Sequence, residues 1–407
     1  MSDYALRTAT AEDVDAFSRV IRDAFAMPGA PDPTDSIRTV IELPRYLVIE
    51  HSGQVVASAG AFTRDLAVPG GVLPAAHVTA VSVAATHTRK GLLRRMMTHQ
   101  LGDVPEAIAV LWASEGRIYQ RFGYGLAAQS VAYHADRREV SLRVPAAAGT
   151  LRAASPADVV EELAEVYDRV LPGRPGWSSR NAAWWAHLTR DPEQHRDGYT
   201  AKRAVLFEHP SGTVDGYARY KVRSKWNDNG PEHEINVLEV VAATPAAYAE
   251  LWRFLLRIDL SRTVVLGLGS VEEPLFHMVD EPRHLGGKVG DGLWLRIVDL
   301  PRALTSRKYA APVDVVLEVT DALLPQNAGV WRLRVGAGGA LVHCTRADDA
   351  APDVTLDVAD LGAAYLGGTR LGTLALNGRV TEHRPGAVAA VSTAFGWSVA
   401  PVSIEIF

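Results

Sequence analysis

VSVAATHTRKGLL, residues 81–93, is the stretch on which the fold turns. It alternates like a strand through Val81-Ser82-Val83, turns through Thr86 to Gly91, and then reads as a helix from Leu92. A strand that enters a helix through glycine leaves several backbone N–H groups pointing out of the first turn, with the helix dipole behind them. That is an anion site of the kind a pyrophosphate occupies. Arg89 and Lys90 add positive charge at its rim, and Gly91 lets the backbone approach a phosphate closely. If Val81-Ser82-Val83 splays from its neighbour, its unpaired edge can bond an arm whose amides resemble peptide groups.

The bulk numbers set limits around this stretch. A chain of 407 residues is too long for one ordinary core, so two or three domains are expected. Apolar residues make up 47% and charged residues 22%, an ordinary globular balance. The net charge of -5, without any basic stripe, argues against nucleic-acid and anionic-membrane roles. One cysteine, Cys344 in ALVHCTRAD, excludes an intrachain disulfide framework and a cysteine zinc site, and reads as a buried inert thiol. Glu232-His233-Glu234 alternates like a strand rim, so no metal is expected. The N-terminus has no charged region followed by an apolar run, and no window holds 18 uncharged apolar residues. A cytoplasmic protein without signal peptide or membrane span is expected.

Along the chain, residues 1 to about 143 read as a mixed α/β segment. Thr10 caps a helix carrying Val14, Phe17, Val20, Ile21 and Phe25, and strands fall at 45–50, 55–62, 77–83, 107–113 and 130–134. A second segment, 144–300, contains VLEVVAATPAAYAELWRFL (237–255). Overlaying its VAAT on that of 83–86 repeats the opening motif, with Ala249 in place of Gly91 and Ala247-Tyr248 in place of Arg89-Lys90. The element recurs with its binding chemistry removed. The third segment, 301–407, has strands at 313–319, 330–335 and 341–345, a Gly-Ala-Gly-Gly hairpin turn at 336–339, and helical stretches at 358–366 and 387–394.

A second motif makes the function specific. In ASEGRIYQRFGYG (113–125) a strand ends at Ser114-Glu115, a short helix carries Ile118 and Tyr119, and Phe122-Gly123-Tyr124 leads into the next strand. VSVAATHTRKGLL followed by IYQRFGY resembles the acetyl-coenzyme-A signature of the Gcn5-related N-acetyltransferases (GNAT). Gly91 matches that pattern's middle glycine, while Thr88 replaces its Arg/Gln and Leu93 its last Gly/Ala. Across its length the chain resembles the enhanced-intracellular-survival (Eis) branch of that superfamily.

The resemblance implies an α/β (α+β) architecture of tandem GNAT folds, the second degenerate, followed by a sterol-carrier-protein-like domain: 1–143, 144–300 and 301–407. It implies an N-acetyltransferase that passes the acetyl group of acetyl-coenzyme A to primary amines of multi-amine small molecules such as aminoglycosides, or to lysine side chains. It also implies a hexamer. Val81, Ser82, Val83, Arg89, Lys90, Gly91, Leu92, Leu93, Arg94, Ser114 and Glu115 are then the coenzyme-binding residues.

Acetyl transfer to an amine needs a base for the amine, a donor for the oxyanion and an acid for the thiolate. Free amines of the lysine type titrate near ~10.4 and thiols near ~8.5, so both proton movements matter at neutral pH. By resemblance Tyr119 is the acid, ahead of Tyr124, and the Val83 N–H is the oxyanion donor. The end of the sequence, PVSIEIF (401–407), alternates as a strand, with Val402, Ile404 and Ile406 on one face and Ser403, Glu405 and Phe407 on the other. Such a tail is expected to be inserted rather than frayed. By resemblance the Phe407 α-carboxylate is the general base. Asp23, Phe25 and Glu405 are candidate contacts for the amine. Alternatives are a longer-chain acyltransferase and a non-catalytic lipid or sterol carrier; the absence of Gly-x-Ser-x-Gly disfavours a nucleophilic hydrolase.

Overall fold

The computed structural model describes residues 4–27, 36–339 and 341–407. The chain divides into two compact units. One takes the residues up to Ala127 together with Leu293–Ser398 and Phe407; the other takes Ala128–Gly292 with Val399–Ile406.

In the first unit a seven-stranded sheet is built from β1 (Tyr4–Thr8), β2 (Leu47–His51), β3 (Gln54–Val68), β4 (Gly71–Val83), β5 (Ile108–Trp112), β6 (Gly125–Leu126) and a strand from much later in the chain, Leu293–Ile297. Three helices accompany these strands: α1 (Val14–Ala24), α2 (Leu92–Asp103) and α3 (Gly116–Gln120). Helix α1 begins just after the turn capped by Thr10, whose backbone N–H and hydroxyl both donate to Asp13. Helix α2 buries Leu92, Met96, Met97 and Leu101 at helical spacing. Each such side chain contributes about 1.5–3 kcal/mol when fully buried.

β3 and β4 form a long antiparallel hairpin, but β4 pairs in parallel with β5 only at Ala76↔Ala109 and His77↔Val110. Beyond His77 the two strands part. A register shift marks the place, and Ala80 sits at φ 54°, a left-handed conformation that costs a non-glycine residue about 1–2 kcal/mol. The Ser58 hydroxyl takes up the displaced Ala80 carbonyl at 2.7 Å and lies 2.9 Å from the Ser82 hydroxyl.

The second unit holds β7 (Gln129–Asp136), β8 (Thr150–Ala154), β9 (Arg203–Glu208), β10 (Val214–Arg223), a ribbon of β11 (Trp226–Asn227) and β12 (Gly230–Pro231), then β13 (His233–Ala242), β14 (Ser261–Gly269) and β15 (Gly287–Asp291). Its helices include α4 (Val160–Val170), α5 (Ala182–Thr189) and α6 (Pro245–Arg257). The sheet order is β15-β7-β14-β13-β10-β9-β8. Two strands depart from the segment boundaries expected at 143 and 300. β7 pairs with β14 and β15 in this second sheet, whereas the strand that follows β15, β16 (Leu293–Ile297), pairs with β5 and β6 in the first. Each sheet thus receives an element from across the sequence boundary, which alternation along one strand cannot reveal.

The repeat at VAAT holds as a strand followed by a helix, β13–α6, but the register of the overlay does not. In the first copy five residues separate Thr86 from α2; in the second α6 starts at Pro245, directly after Thr244. Ala247–Ala249 therefore lie inside the helix. The Thr244 side chain accepts from the Ala247 N–H, and Pro245 has no N–H to offer. The anion site is closed by a cap.

The third segment has a five-stranded sheet in the order β19-β18-β17-β20-β21: β17 (Val313–Thr320), β18 (Gly329–Val335), β19 (Val342–Arg346), β20 (Val354–Asp357) and β21 (Val380–Glu382). The expected hairpin joins β18 to β19, with Gly338 and Gly339 at positive φ. Cys344 is buried in β19, where burial pushes its thiol up to about 12. Among the described residues no helix is long and apolar enough to cross a membrane.

The tail differs from the expected strand. Residues 401–407 pair with no sheet, and the apolar alternation does not set the buried face: Ser403 and Glu405 are buried while Ile406 is 67% exposed. The reason is a charge. Arg180, fully buried, donates to Glu405 at 2.8 Å and to Glu239 on β13 at 2.8 Å, and Glu239 also accepts from Arg219 at 2.7 Å. Burying Arg180 without these partners would be prohibitive, so the carboxylate turns inward against the hydropathy pattern.

Candidate active site

The site is assembled where β4 leaves β5. Gly91 caps α2 at φ 78°, and a Cβ placed there would meet nothing within 4 Å, so the turn opens onto free space. Arg95 is the residue whose N–H reaches back to Gly91 O, at 3.0 Å. The N–H groups of Leu92, Leu93 and Arg94 thus have no acceptor inside the helix, and the helix dipole reinforces them. Arg89, also left-handed at φ 62°, turns the chain into this position.

A cavity of about 820 Å³ runs from this turn to the end of β5. Val81, Ser82 and Val83 form one wall with Arg89, Gly91, Leu92, Leu93 and Arg94; Ser114, Glu115 and Tyr119 face them. Phe25, from the end of α1, lies in the wall as well. Of the expected coenzyme contacts, Lys90 is the exception. Its ammonium donates to the Tyr4 hydroxyl at 2.9 Å, and that hydroxyl is hydrogen-bonded to His87 Nδ1, 2.9 Å away. Lys90 braces the turn from behind, and His87 stands in the cavity wall.

Tyr119 is buried, and burial pushes its phenol up to about 12, so the group keeps its proton at neutral pH. Tyr124 is fully buried with its ring 6.0 Å from that of Tyr119, and its hydroxyl has no partner among the described residues. It packs, while Tyr119 reaches the cavity.

Phe407 lies with the first unit, its ring against that of His77 at the last position where β4 pairs with β5, and outside the residues of the cavity wall. Asp23 is exposed and stands outside the cavity wall, and Glu405 is held by Arg180 in the second unit. Neither meets the cavity in the way expected from the sequence.

Sequence reasoning missed Ala322 and Leu323, which complete the wall. Asp321 fixes their turn: it accepts from the Leu323 and Leu324 N–H groups at 3.1 and 3.0 Å, from Asn327 Nδ2 at 3.0 Å, and from the buried Arg296 guanidinium at 2.7 Å. No local pattern connects Arg296 with Asp321.

A strand that parts from its neighbour beside an open helix N-terminus, followed by a buried tyrosine across the cleft, defines an acyltransferase of the GNAT fold. The profile of an acetyltransferase (GNAT) domain matches residues 5–127, a second such profile matches 176–297, and a sterol carrier protein domain matches 300–403. An uncharacterized N-acetyltransferase of Streptomyces avermitilis is 41% identical over 391 residues, 95% of each chain. The N-acetyltransferase Eis of Mycobacterium bovis is 34% identical over 367 residues, 86% of each chain. The crystal structure of Eis1 from Mycobacterium abscessus superposes with a TM-score of 0.83 at 33% identity, covering 99% of this chain and all of that one. The chain belongs to the Eis family of GNAT N-acetyltransferases.

Proposed function

We propose that this N-acetyltransferase uses acetyl-coenzyme A and acts on primary amines of multi-amine small molecules, aminoglycosides among them, with lysine side chains as further acceptors. The observation that supports this best is the parting of β4 from β5 beside the open first turn of α2. The residues present suit the coenzyme: free N–H groups and arginines for a diphosphate, and an unpaired strand edge for a pantetheine arm. When bound, acetyl-coenzyme A supplies the activated thioester.

In this scheme Leu92, Leu93 and Arg94 offer their N–H groups to the diphosphate, with the Arg89 guanidinium beside them. Val81–Val83 orient the arm, and the Val83 N–H stabilises the developing negative oxygen. Tyr119 delivers its phenolic proton to the departing sulfur. The Phe407 α-carboxylate takes the proton of the amine, directly or through water. Phe25 meets the acceptor, and Asp23 attracts its positive charge from nearby. A cytoplasmic homohexamer belongs to the same proposal.

The test is an acceptor panel (aminoglycosides, polyamines, lysine peptides) with acetyl-coenzyme A, read by thiol release. Turnover with multi-amine acceptors is expected. Preference for long acyl chains, or sterol binding without any thiol release, would overturn the proposal.

A further inference from the structure

Part of the cavity wall at Gly91 comes from far along the chain. Ala322 and Leu323 follow directly on β17 of the third segment, yet they line this cavity together with Val81 of β4 and Ile118 of α3. Leu323 is half-buried. It packs, as Val81, Leu93 and Ile118 do, against the apolar cluster that holds Tyr119 and Phe122. The wall therefore has two characters. His87, Thr88 and Arg89 make it polar at the glycine turn, while Val81, Ile118 and Leu323 make it apolar elsewhere.

The turn that carries Leu323 is held by a buried ion pair. Arg296 on β16 is fully buried, and its Nη2 donates to both Asp321 oxygens, at 2.8 and 2.7 Å. Its Nε and Nη1 have no hydrogen-bond partner among the described residues. A pair satisfied so incompletely stabilises a core less than apolar side chains of similar volume would. It provides something that apolar side chains cannot. Asp321 Oδ1 also accepts the N–H of Leu323 at 3.1 Å and that of Leu324 at 3.0 Å. Asn327 secures the far side, where its Nδ2 donates to Asp321 Oδ2 at 3.0 Å and to the Val298 carbonyl at 3.1 Å. The same guanidinium lies against the tyrosine motif, because a Cβ on Gly123 would collide with Arg296 Nη1. One buried charge thus sets both Leu323 and the turn that follows α3, the helix of Tyr119.

A pantetheine arm alternates amides with saturated carbon, including one carbon that bears two methyl groups. Its amides can bond the free edge of β4. Its methyl and methylene groups gain only from apolar cover. A wall fixed before the arm arrives loses little freedom on binding, which favours affinity.

We infer that Leu323 is a further coenzyme-binding residue, which covers the saturated carbons of the pantetheine arm, with Arg296 and Asp321 as its positioning residues. The inference rests on the coenzyme reading of this cavity and adds to it a contact from the third segment.

The experiment uses the full chain and calorimetry with two probes, coenzyme A and adenosine 3′,5′-bisphosphate, which lacks the arm. Leu323→Ala is expected to weaken coenzyme A about tenfold, since the removed carbons uncover part of the arm. Binding of the bisphosphate should not change, and the KM of acetyl-coenzyme A should rise with kcat near that of the parent. Leu323→Met, which keeps the volume, should bind both probes as the parent does. Arg296→Met combined with Asp321→Leu replaces the ion pair by apolar side chains, so the melting temperature is expected to hold while coenzyme A alone weakens several-fold. Should that double variant not fold, Asp321→Asn is expected to have the same selective effect. Parent affinity for coenzyme A in Leu323→Ala, or a loss shared by both probes, would overturn the role of Leu323. Parent affinity in the positioning variants would overturn theirs. A parent protein that fails to bind coenzyme A would overturn the coenzyme reading itself and this inference with it, a result distinct from the others.

Discussion

The ring of Phe407 lies edge-on to the imidazole of His77, with centroids 4.6 Å apart and planes at 61°. His77 is fully buried, and its Nδ1 lies 3.0 Å from the Ala75 carbonyl, which can only accept, so Nδ1 carries the proton. Burial, aided by Arg64, holds this imidazole well below its ordinary range, and it is neutral at physiological pH. A neutral aromatic platform thus seats the Phe407 ring at the point where β4 and β5 separate.

Deleting Phe407, or extending the chain beyond it, is therefore expected to lower turnover by about 10²-fold or more, the usual contribution of a positioned proton acceptor. Acetyl-coenzyme A affinity, measured by calorimetry, should persist. Full activity in an extended variant would remove the carboxylate from the mechanism.

Tyr119→Phe should reduce kcat far more than it changes KM, because the lost proton is needed only as the thiolate departs. Tyr124→Phe is the control: its hydroxyl has no partner among the described residues, so stability and kcat should stay near those of the parent. Similar kinetics in the two variants would contradict the distinction drawn between the tyrosines.

Gly91→Ala meets no steric obstacle but must hold φ 78°, which costs about 1–2 kcal/mol. A lower melting temperature is expected, together with a raised KM for acetyl-coenzyme A and little change in kcat. An unchanged KM would place the diphosphate elsewhere.

The buried Arg180–Glu239–Glu405 group makes a stability prediction. Arg180→Met strands Glu239 with Arg219 and leaves Glu405 without this ion pair, and should cost about 3–5 kcal/mol in denaturant unfolding. Glu405→Gln retains a hydrogen-bond acceptor and should cost about 1–3 kcal/mol. If Glu405→Gln instead altered only the KM of the amine, Glu405 would be an acceptor contact after all.

Burial raises Glu273 to about 7, and the Tyr248 hydroxyl donates to it. A carboxyl whose folded value lies above its unfolded value of 4.5 contributes stability fully below pH 4.5, and that contribution is lost as pH rises through 7. Glu273→Gln removes the titration. Its melting temperature relative to the parent should therefore climb between pH 5 and pH 8; a flat difference would mean that Glu273 does not titrate in this window.

The sequence by itself determined the strand–glycine–helix turn, the motif around Tyr119, the cap at Thr10 and the hairpin at 336–339. These are local matters: a left-handed glycine, a 3.6-residue period and a capping side chain act within a few residues. Tertiary structure decided the rest, because the deciding partner lies far along the chain. Glu405 turns inward while Ile406 faces solvent, since Arg180 stands 225 residues earlier. Lys90 leaves the rim for Tyr4, 86 positions away, and Leu323 joins the cavity wall through a turn that Arg296 and Asp321 fix. The exchange of β7 and β16 between the sheets follows the same rule. Strand pairing is chosen by hydrogen-bonding edges that meet only in the folded chain, and no periodicity along one strand records which edge it will find.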